Sequence, residues 1–267
     1  MGLEARIKRT AGKLDNILER ALQEHEKGSR NEGEAGDLLD DLLSVVKEGG
    51  EGINLDIIDV KGLILDLFIA GIDTTSKAIE WAMAYLIKYP REMAKVQAEV
   101  RQIAGAQGVL EEQLLRMSRL QAALKEAMRL HPPAPLLVPH ETIQDTKLHG
   151  YDIPAKTRIF INAWAIGRDK ESWENAEEFQ PERFLHTAID YNGRDFRFMP
   201  FSAGRRGCPG IEFATRLAEL ALANQLYHFD WELPEGQDVE LFKVVESSGL
   251  SPALKYALTL VAKPLQA

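Results

Sequence analysis

The chain has 267 residues, 45% of them hydrophobic and 27% charged, which is ordinary for a globular protein and enough to bury a large core. A net charge of −9 with no basic stripe excludes nucleic acid as a partner. A single cysteine excludes an internal disulfide and fits a reducing compartment.

The opening MGLEARIKRT is charged and amphipathic, without the apolar core of a secretory signal. In LEARIKRTAGKLDNILERALQEHEKG, residues Ile7, Leu14, Ile17, Leu18 and Leu22 fall mostly three or four apart, which predicts a helix. SRNEGEAG reads as a polar loop. DLLDDLLSVVKEGG is a short helix with Asp37 as cap and Gly49 as stop. A long helix follows over about 56–88 and ends before Pro90, which disfavours helix in its predecessor. Its apolar run LILDLFIAGI, 63–72, contains Asp66 and is flanked by Lys61 and Asp73. A membrane span needs ~20 apolar residues, so this run reads as a buried core helix, and the chain as written carries no transmembrane anchor. REMAKVQAEVRQIAG and SRLQAALKEAMRLH are two further amphipathic helices, the second stopped by Pro132 and Pro133.

Beyond them APLLVPHETI, TKLHGYDIPAKTRIFINAWAIG and YALTLVAK read as short strands joined by Gly/Pro turns. A strand-poor meander covers about 169–201, and a helix restarts at Pro209 or Gly210 and runs to about His228. The expected class is mainly α (α+β): helix-rich, with a small late sheet.

The lone Cys208 lies in FSAGRRGCPG, between arginines and the expected helix start. Both neighbours favour a thiolate. Structural zinc wants several Cys or His at close spacing, and a Cys nucleophile wants a His partner; neither is evident. A thiolate can also act alone as the proximal ligand of heme iron. Gly204, Gly207 and Gly210 would let the backbone approach a flat macrocycle, and Arg206 could reach a propionate. The bland alternative is a buried structural cysteine in a Gly-rich turn.

FSAGRRGCPG resembles the signature Phe-x-x-Gly-x-Arg-x-Cys-x-Gly of the cytochrome P-450 monooxygenases, matching it at Phe201, Gly204, Arg206, Cys208 and Gly210. Three more segments resemble the family in the right order. KEAMRLHPPAPLLVPH holds Glu126 and Arg129, and FQPERF holds Arg183. Alone, the first two would be a surface i,i+3 pair worth about 0.2–0.5 kcal/mol. The resemblance implies instead a buried Glu–Arg–Arg network behind the heme loop. AGIDTT resembles the oxygen-activation motif, which implies a locally widened helix, Thr74 bonding to dioxygen and Asp73 relaying protons, with Ala70 in the substrate pocket. PAPLLVPH resembles the strand beside the heme, making Ala134, Leu136 and Leu137 pocket residues and His140 a propionate partner. ESSGLSP resembles a turn that points Leu250 into the pocket.

The likeness covers essentially the whole chain, as one partial domain over 1–267: the C-terminal, heme-binding portion of the P-450 fold, plant microsomal in type. Within it stand the oxygen-activation helix at 55–88, the Glu-x-x-Arg helix at 117–131, and the cysteine loop with its helix at 198–228. It implies heme b, O2, a small apolar organic substrate and an NADPH-dependent reductase, which would dock on the cysteine side near Arg205 and Arg216. Full-length members sit on the cytosolic face of the endoplasmic reticulum membrane; without an anchor, a cytoplasmic location is expected for this chain. It is roughly half the family's length, so the early sheet strands, the Trp-x-x-x-Arg helix and the pocket-closing loop are expected to be missing. Two other readings stand beside the monooxygenase. One is a truncated remnant without turnover. The other is a heme-thiolate peroxide isomerase or dehydratase, against which the Asp73–Thr74 pair argues.

Overall fold

A computed structural model describes residues 2–27, 36–49 and 54–265. The predicted loop SRNEGEAG, apart from Gly36, lies outside them. The chain divides into two compact units, 1–72 and 73–267, and each is described by itself.

In the first unit, α1 covers Leu3–Lys27, α2 covers Leu38–Glu48 and α3 begins at Ile57. Asp37 caps α2 as expected: its side chain accepts from the amides of Leu39 and Asp40, and Asp40 returns a bond to the Asp37 amide. Gly49 ends α2 at φ 74, a conformation that suits glycine. Asp56 and Asp59 bond each other's amides in the same reciprocal way, at 2.8 and 3.0 Å, and start α3. The core here is small, with Leu22, Leu43 and Val60 buried and Leu39, Leu42, Val46 and Ile64 packed on them.

The expectation that 63–72 is buried on all sides is corrected. Leu67, Phe68, Ile69 and Ile72 are 52–63% exposed, and Leu63 is exposed as well. Ile7 and Ile17 of α1 also face solvent. The apolar pattern made the helices, as predicted, but the described residues of this unit supply too few partners to cover them.

The second unit holds the rest of α3, which ends at Lys88, then α4 (Pro90–Ala104) and α5 (Ser118–Leu130). Pro90 opens α4 where a missing N–H costs nothing, and Gly105 closes it. After a strand-poor stretch comes α7, Ile211–His228, whose Thr215, Ala218, Glu219, Leu222, Ala223 and Leu226 are buried at three- and four-residue spacing. It packs on α4 and α5. Trp81, Leu86, Leu114, Met117, Leu120, Leu124, Leu130, Leu222 and Leu226 are all less than 2% exposed and form the centre of this core. Each such side chain contributes about 1.5–3 kcal/mol.

The class is the expected one, but the single small sheet becomes three antiparallel pairs. β1 (His140–Glu141) pairs with β4 (Arg158–Ile159), β2 (Thr146–Leu148) with β3 (Tyr151–Ile153), and β5 (Phe229–Glu232) with β6 (Val261–Pro264). The β2–β3 hairpin turns through His149 and Gly150, both at positive φ, as a two-residue primed turn requires. Of APLLVPHETI only β1 is strand, because Pro135 and Pro139 donate no amide and Leu137 sits at φ 52. NAWAIG is not strand either. Asn162 accepts from the Ala165 amide and caps a short helix, α6 (Ala163–Ile166).

Candidate functional site

The cysteine loop is anchored at its start by aromatic packing. Phe198 is buried against Phe184 and Tyr191 at centroid distances of 4.9 and 5.7 Å, and Phe201 meets Tyr191 edge-on at 5.5 Å. The chain then turns sharply, with Ser202 and Gly204 at φ 66 and 71 and a single 3-10 turn over Gly204–Arg206. The Cys208 amide donates to the Phe201 carbonyl at 2.9 Å and closes the loop. The result is an exposed thiol, which rules out the buried structural cysteine. A Cβ on Gly210 would sit 3.8 Å from Sγ, and one on Gly204 would meet nothing within 4 Å. The space beside the sulfur is open.

The following helix starts one or two residues later than expected, at Ile211, with Gly210 as its cap at φ −89. Cys208 therefore stands two residues before the Gly210 cap rather than directly at the helix start. Arg205 and Arg206 are exposed and form no ion pair among the described residues. A soft, open thiol donor with two uncommitted guanidiniums suits a heme carrying propionates.

Glycine 193 had no signal that set it apart in the sequence. A Cβ there would lie 2.8 Å from the Ser202 carbonyl oxygen and 2.9 Å from the Ala203 Cβ, at φ 66. The loop can take its path only because residue 193 is bare.

Behind the loop, Glu126, Arg129 and Arg183 come together. Glu126 and Arg129 are 0% and 1% exposed, so the pair is not a surface pair. The carboxylate accepts four bonds: Arg129 Nε at 2.7 Å, Arg129 Nη2 at 2.8 Å, Arg183 Nε at 2.9 Å and the Gln180 amide at 2.8 Å. Arg129 also donates to the carbonyls of Gly167, Ala176 and Glu178, so all five of its N–H groups are used. That degree of pairing is what makes two buried charges, with Arg183 half-buried beside them, tolerable. Trp173 lies 5.2 Å from the Arg129 guanidinium and 5.8 Å from that of Arg183. Gly167 is a second position the sequence did not mark: a Cβ there would lie 2.3 Å from the Arg129 carbonyl oxygen.

The segment 70–75 remains regular α-helix, so the expected widening is corrected. Two bonds brace this turn: Ser76 Oγ donates to the Asp73 carbonyl, and Lys77 Nζ donates to Asp73 Oδ2 at 2.6 Å. The hydrogen bond from Lys77 holds the Asp73 carboxyl below its ordinary value, against a smaller effect of burial. Thr74 is half-buried, and the Thr75 hydroxyl is buried without a hydrogen-bond partner among the described residues. Ala70 belongs to the first unit and Asp73 to the second.

Leu250, 94% exposed, lies near the tip of a narrow hairpin closed by the Glu246–Leu254 bridge and the Ser247 amide bond to Ala253. Ala134 and Leu137 share a turn, Leu136 is exposed, and His140 is half-buried opposite Ile159. Among the described residues, no hydrogen bond or ion pair joins these side chains, or Asp73, to the cysteine loop.

The sequence also left His131 unassigned. Its ring stacks on Trp81 at 3.8 Å, bonds the Tyr85 hydroxyl at 2.7 Å through Nε2, and bonds Glu246 through Nδ1. Burial pushes the imidazole below its ordinary value despite the facing carboxylate. For Glu246, burial alone would raise the carboxyl, but the His131 bond brings it below its usual range.

Comparison with known families decides what this assembly is: the cytochrome P450 profile matches residues 2–260. The chain belongs to the cytochrome P450 family. This P450 chain is 48% identical to cytochrome P450 71A1 of Persea americana, over 98% of its own length and 53% of the relative's. It is 44% identical to costunolide synthase of Lactuca sativa, again covering 98% of this chain and 53% of that one. A zebra fish cytochrome P450 solved with progesterone superposes with a TM-score of 0.83 at 32% identity, covering 98% of this P450 chain and 58% of that one. The chain thus spans about half the length of the curated relatives it matches. The family implies a heme-iron cofactor, and the exposed Cys208 with its open surroundings fits one. Among the described residues, no helix of this P450 chain is long and apolar enough to cross a membrane.

Proposed function

We propose that the chain carries the cofactor-holding half of a heme-thiolate monooxygenase acting on a small apolar organic substrate, with electrons from an NADPH-dependent reductase. The single observation that carries this reading is the exposed thiol of Cys208 on a loop whose backbone is locked from behind. The Cys208 thiolate would ligate the iron, and Arg206 and His140 would pair with propionates. Heme so held supplies the activation of O2 for insertion into a C–H or C=C bond.

The protein's own residues do the rest. The Cys208–Phe201 amide bond and the aromatic packing of Phe198 and Phe201 fix the sulfur's position. The Glu126–Arg129–Arg183 network ties α5 to the meander under the loop. These three hold structure and touch no reacting atom. Asp73, bonded by Lys77, would accept and pass on a proton, and the Thr74 hydroxyl would donate one. Leu250, Leu136, Leu137, Ala134 and Ala70 would shape the apolar pocket, and Arg205 and Arg216 would contact the reductase. The family's usual site, the cytosolic face of the endoplasmic reticulum membrane, is the location proposed.

The test is the absorption spectrum of the reduced, carbon monoxide-treated protein. A strongly red-shifted Soret band is expected in the wild type and should be absent from Cys208→Ala. A second reading, a chain without turnover, is favoured by one observation: the bare apolar surface of Leu67, Phe68, Ile69 and Ile72. A wild-type chain with no such band selects that reading.

A further inference from the structure

The Lys77 side chain is 15% exposed, and its ammonium has three acceptors around it: Asp73 Oδ2 at 2.6 Å, the Ser251 carbonyl at 2.7 Å and the Ser251 hydroxyl at 3.0 Å. An ammonium has three N–H donors, so every one is placed. Two go to the C-terminal hairpin, 174 residues away in sequence, and one goes to the acid of the AGIDTT motif. The hairpin is held to α3 a second time by Trp81 Nε1, which donates to the Pro252 carbonyl at 3.3 Å. At its base Glu246 is fixed by His131 and by Trp164 Nε1 at 3.1 Å. The tip, Ser248, Gly249 and Leu250, makes no such tie among the described residues.

We propose that Lys77 is a positioning residue that couples the C-terminal hairpin to the Asp73 carboxylate, so that displacing the hairpin changes how firmly the acid is held. The significance for turnover rests on the monooxygenase reading; the coupling itself does not. A hairpin that only needed fastening could use any donor. The ammonium does more, because the charge that grips Ser251 is the one that bonds the Asp73 carboxylate and holds it below its ordinary value. If the Ser251 oxygens withdraw, as when an apolar ligand presses on Leu250, the Lys77 head loses two of three partners and opens to water. Its grip on Asp73 then weakens, since water screens an exposed ion pair strongly. The link is reciprocal: protonating Asp73 must loosen the hairpin. Among the described residues, the groups that act on Asp73 are Lys77 from its own helix and Ser251 from the hairpin.

The experiment uses the whole chain labelled with carboxyl-13C aspartate, the Asp73 resonance being assigned by its loss in Asp73→Asn. Lys77→Met should raise the Asp73 titration midpoint and speed amide exchange across 247–253, with far-UV circular dichroism unchanged. Lys77→Arg, which keeps the charge, should restore much of both. Ser251→Ala should raise the Asp73 midpoint in the wild-type background and raise it clearly less in Lys77→Met, where only the direct Ser251–Asp73 bond is left to lose. Equal shifts from Ser251→Ala with and without Lys77 would mean that Ser251 acts on Asp73 only by its direct bond and nothing passes through Lys77, and the proposal fails. An Asp73 midpoint unchanged by Lys77→Met also overturns it. If Lys77→Met does not fold, Ser251→Ala alone still decides, because an Asp73 midpoint that it leaves unmoved in the wild-type background sinks the idea. No arm needs heme, so the Lys77 coupling is measurable in a chain that lacks the carbon monoxide band, and a chain that has the band can still fail here.

Discussion

Glu126 sits between two guanidiniums with no access to water, and its removal leaves both without a counter-charge. Breaking a buried pair in this way costs about 3–5 kcal/mol, a large part of a total stability of about 5–15 kcal/mol. Glu126→Ala should therefore shift urea unfolding by that amount; a loss below about 1 kcal/mol would show that the network carries little. Gly193 acts by its lack of a side chain. Gly193→Ala puts a methyl 2.8 Å from a backbone oxygen at a φ of 66, so the Ser202–Ala203 backbone must shift. The expected outcome is a loss of about 1–3 kcal/mol, and a weakened carbon monoxide band even at temperatures where the variant remains folded.

Two histidines join elements, and they respond to pH in opposite directions. His25 at the end of α1 bonds Asp37, the cap of α2, at 2.9 Å. That bond raises the His25 value and, with the Asp40 amide, holds Asp37 at about 2. A raised folded value means that the His25 contribution is full below its unfolded value, about 6.5, and is lost as pH rises through the folded one. His131 is the reverse. Its depressed folded value makes its contribution full above about 6.5 and lost as pH falls through the folded value. Amide exchange across α2 should thus be slower in the wild type than in His25→Gln at about pH 5.5, with the gap closing toward alkaline pH. Protection from exchange in the 246–254 hairpin, taken relative to the intrinsic amide rate at each pH, should instead fall as the medium is acidified. A flat response in either element would contradict the pairing seen there.

At the scale of the molecule, what was legible in the sequence followed from local chemistry. Helix limits came within one or two residues because caps and stops are local: Asp37, Gly49, Pro90, Pro132. The cysteine loop was readable because its signature is contiguous. The buried state of Glu126 was not readable from spacing, since i,i+3 is the same on a surface or in a core; it came from the resemblance. Gly193, Gly167 and His131 went unmarked because their roles depend on backbone and rings that arrive from distant positions. The widening of α3 was expected from the motif and is not seen: 70–75 is α-helix throughout. The exposed apolar side of 63–72 was misread as buried because hydrophobicity reports a need for cover, not its presence. An apolar reporter dye should bind the purified chain, and Leu67→Ser with Phe68→Ser should reduce that binding without lowering the unfolding midpoint of the second unit. Unreduced binding would place the apolar surface elsewhere.

The exposed thiol belongs to the one cysteine in the chain. Alkylating reagents therefore have a single target, and its reaction rate becomes a counter of empty loops. A bare thiol is consumed quickly and stoichiometrically, whereas one committed to iron is shielded. A mass spectrum taken after a brief maleimide pulse would then read the filled fraction of any preparation directly, with each molecule carrying its own tally at position 208.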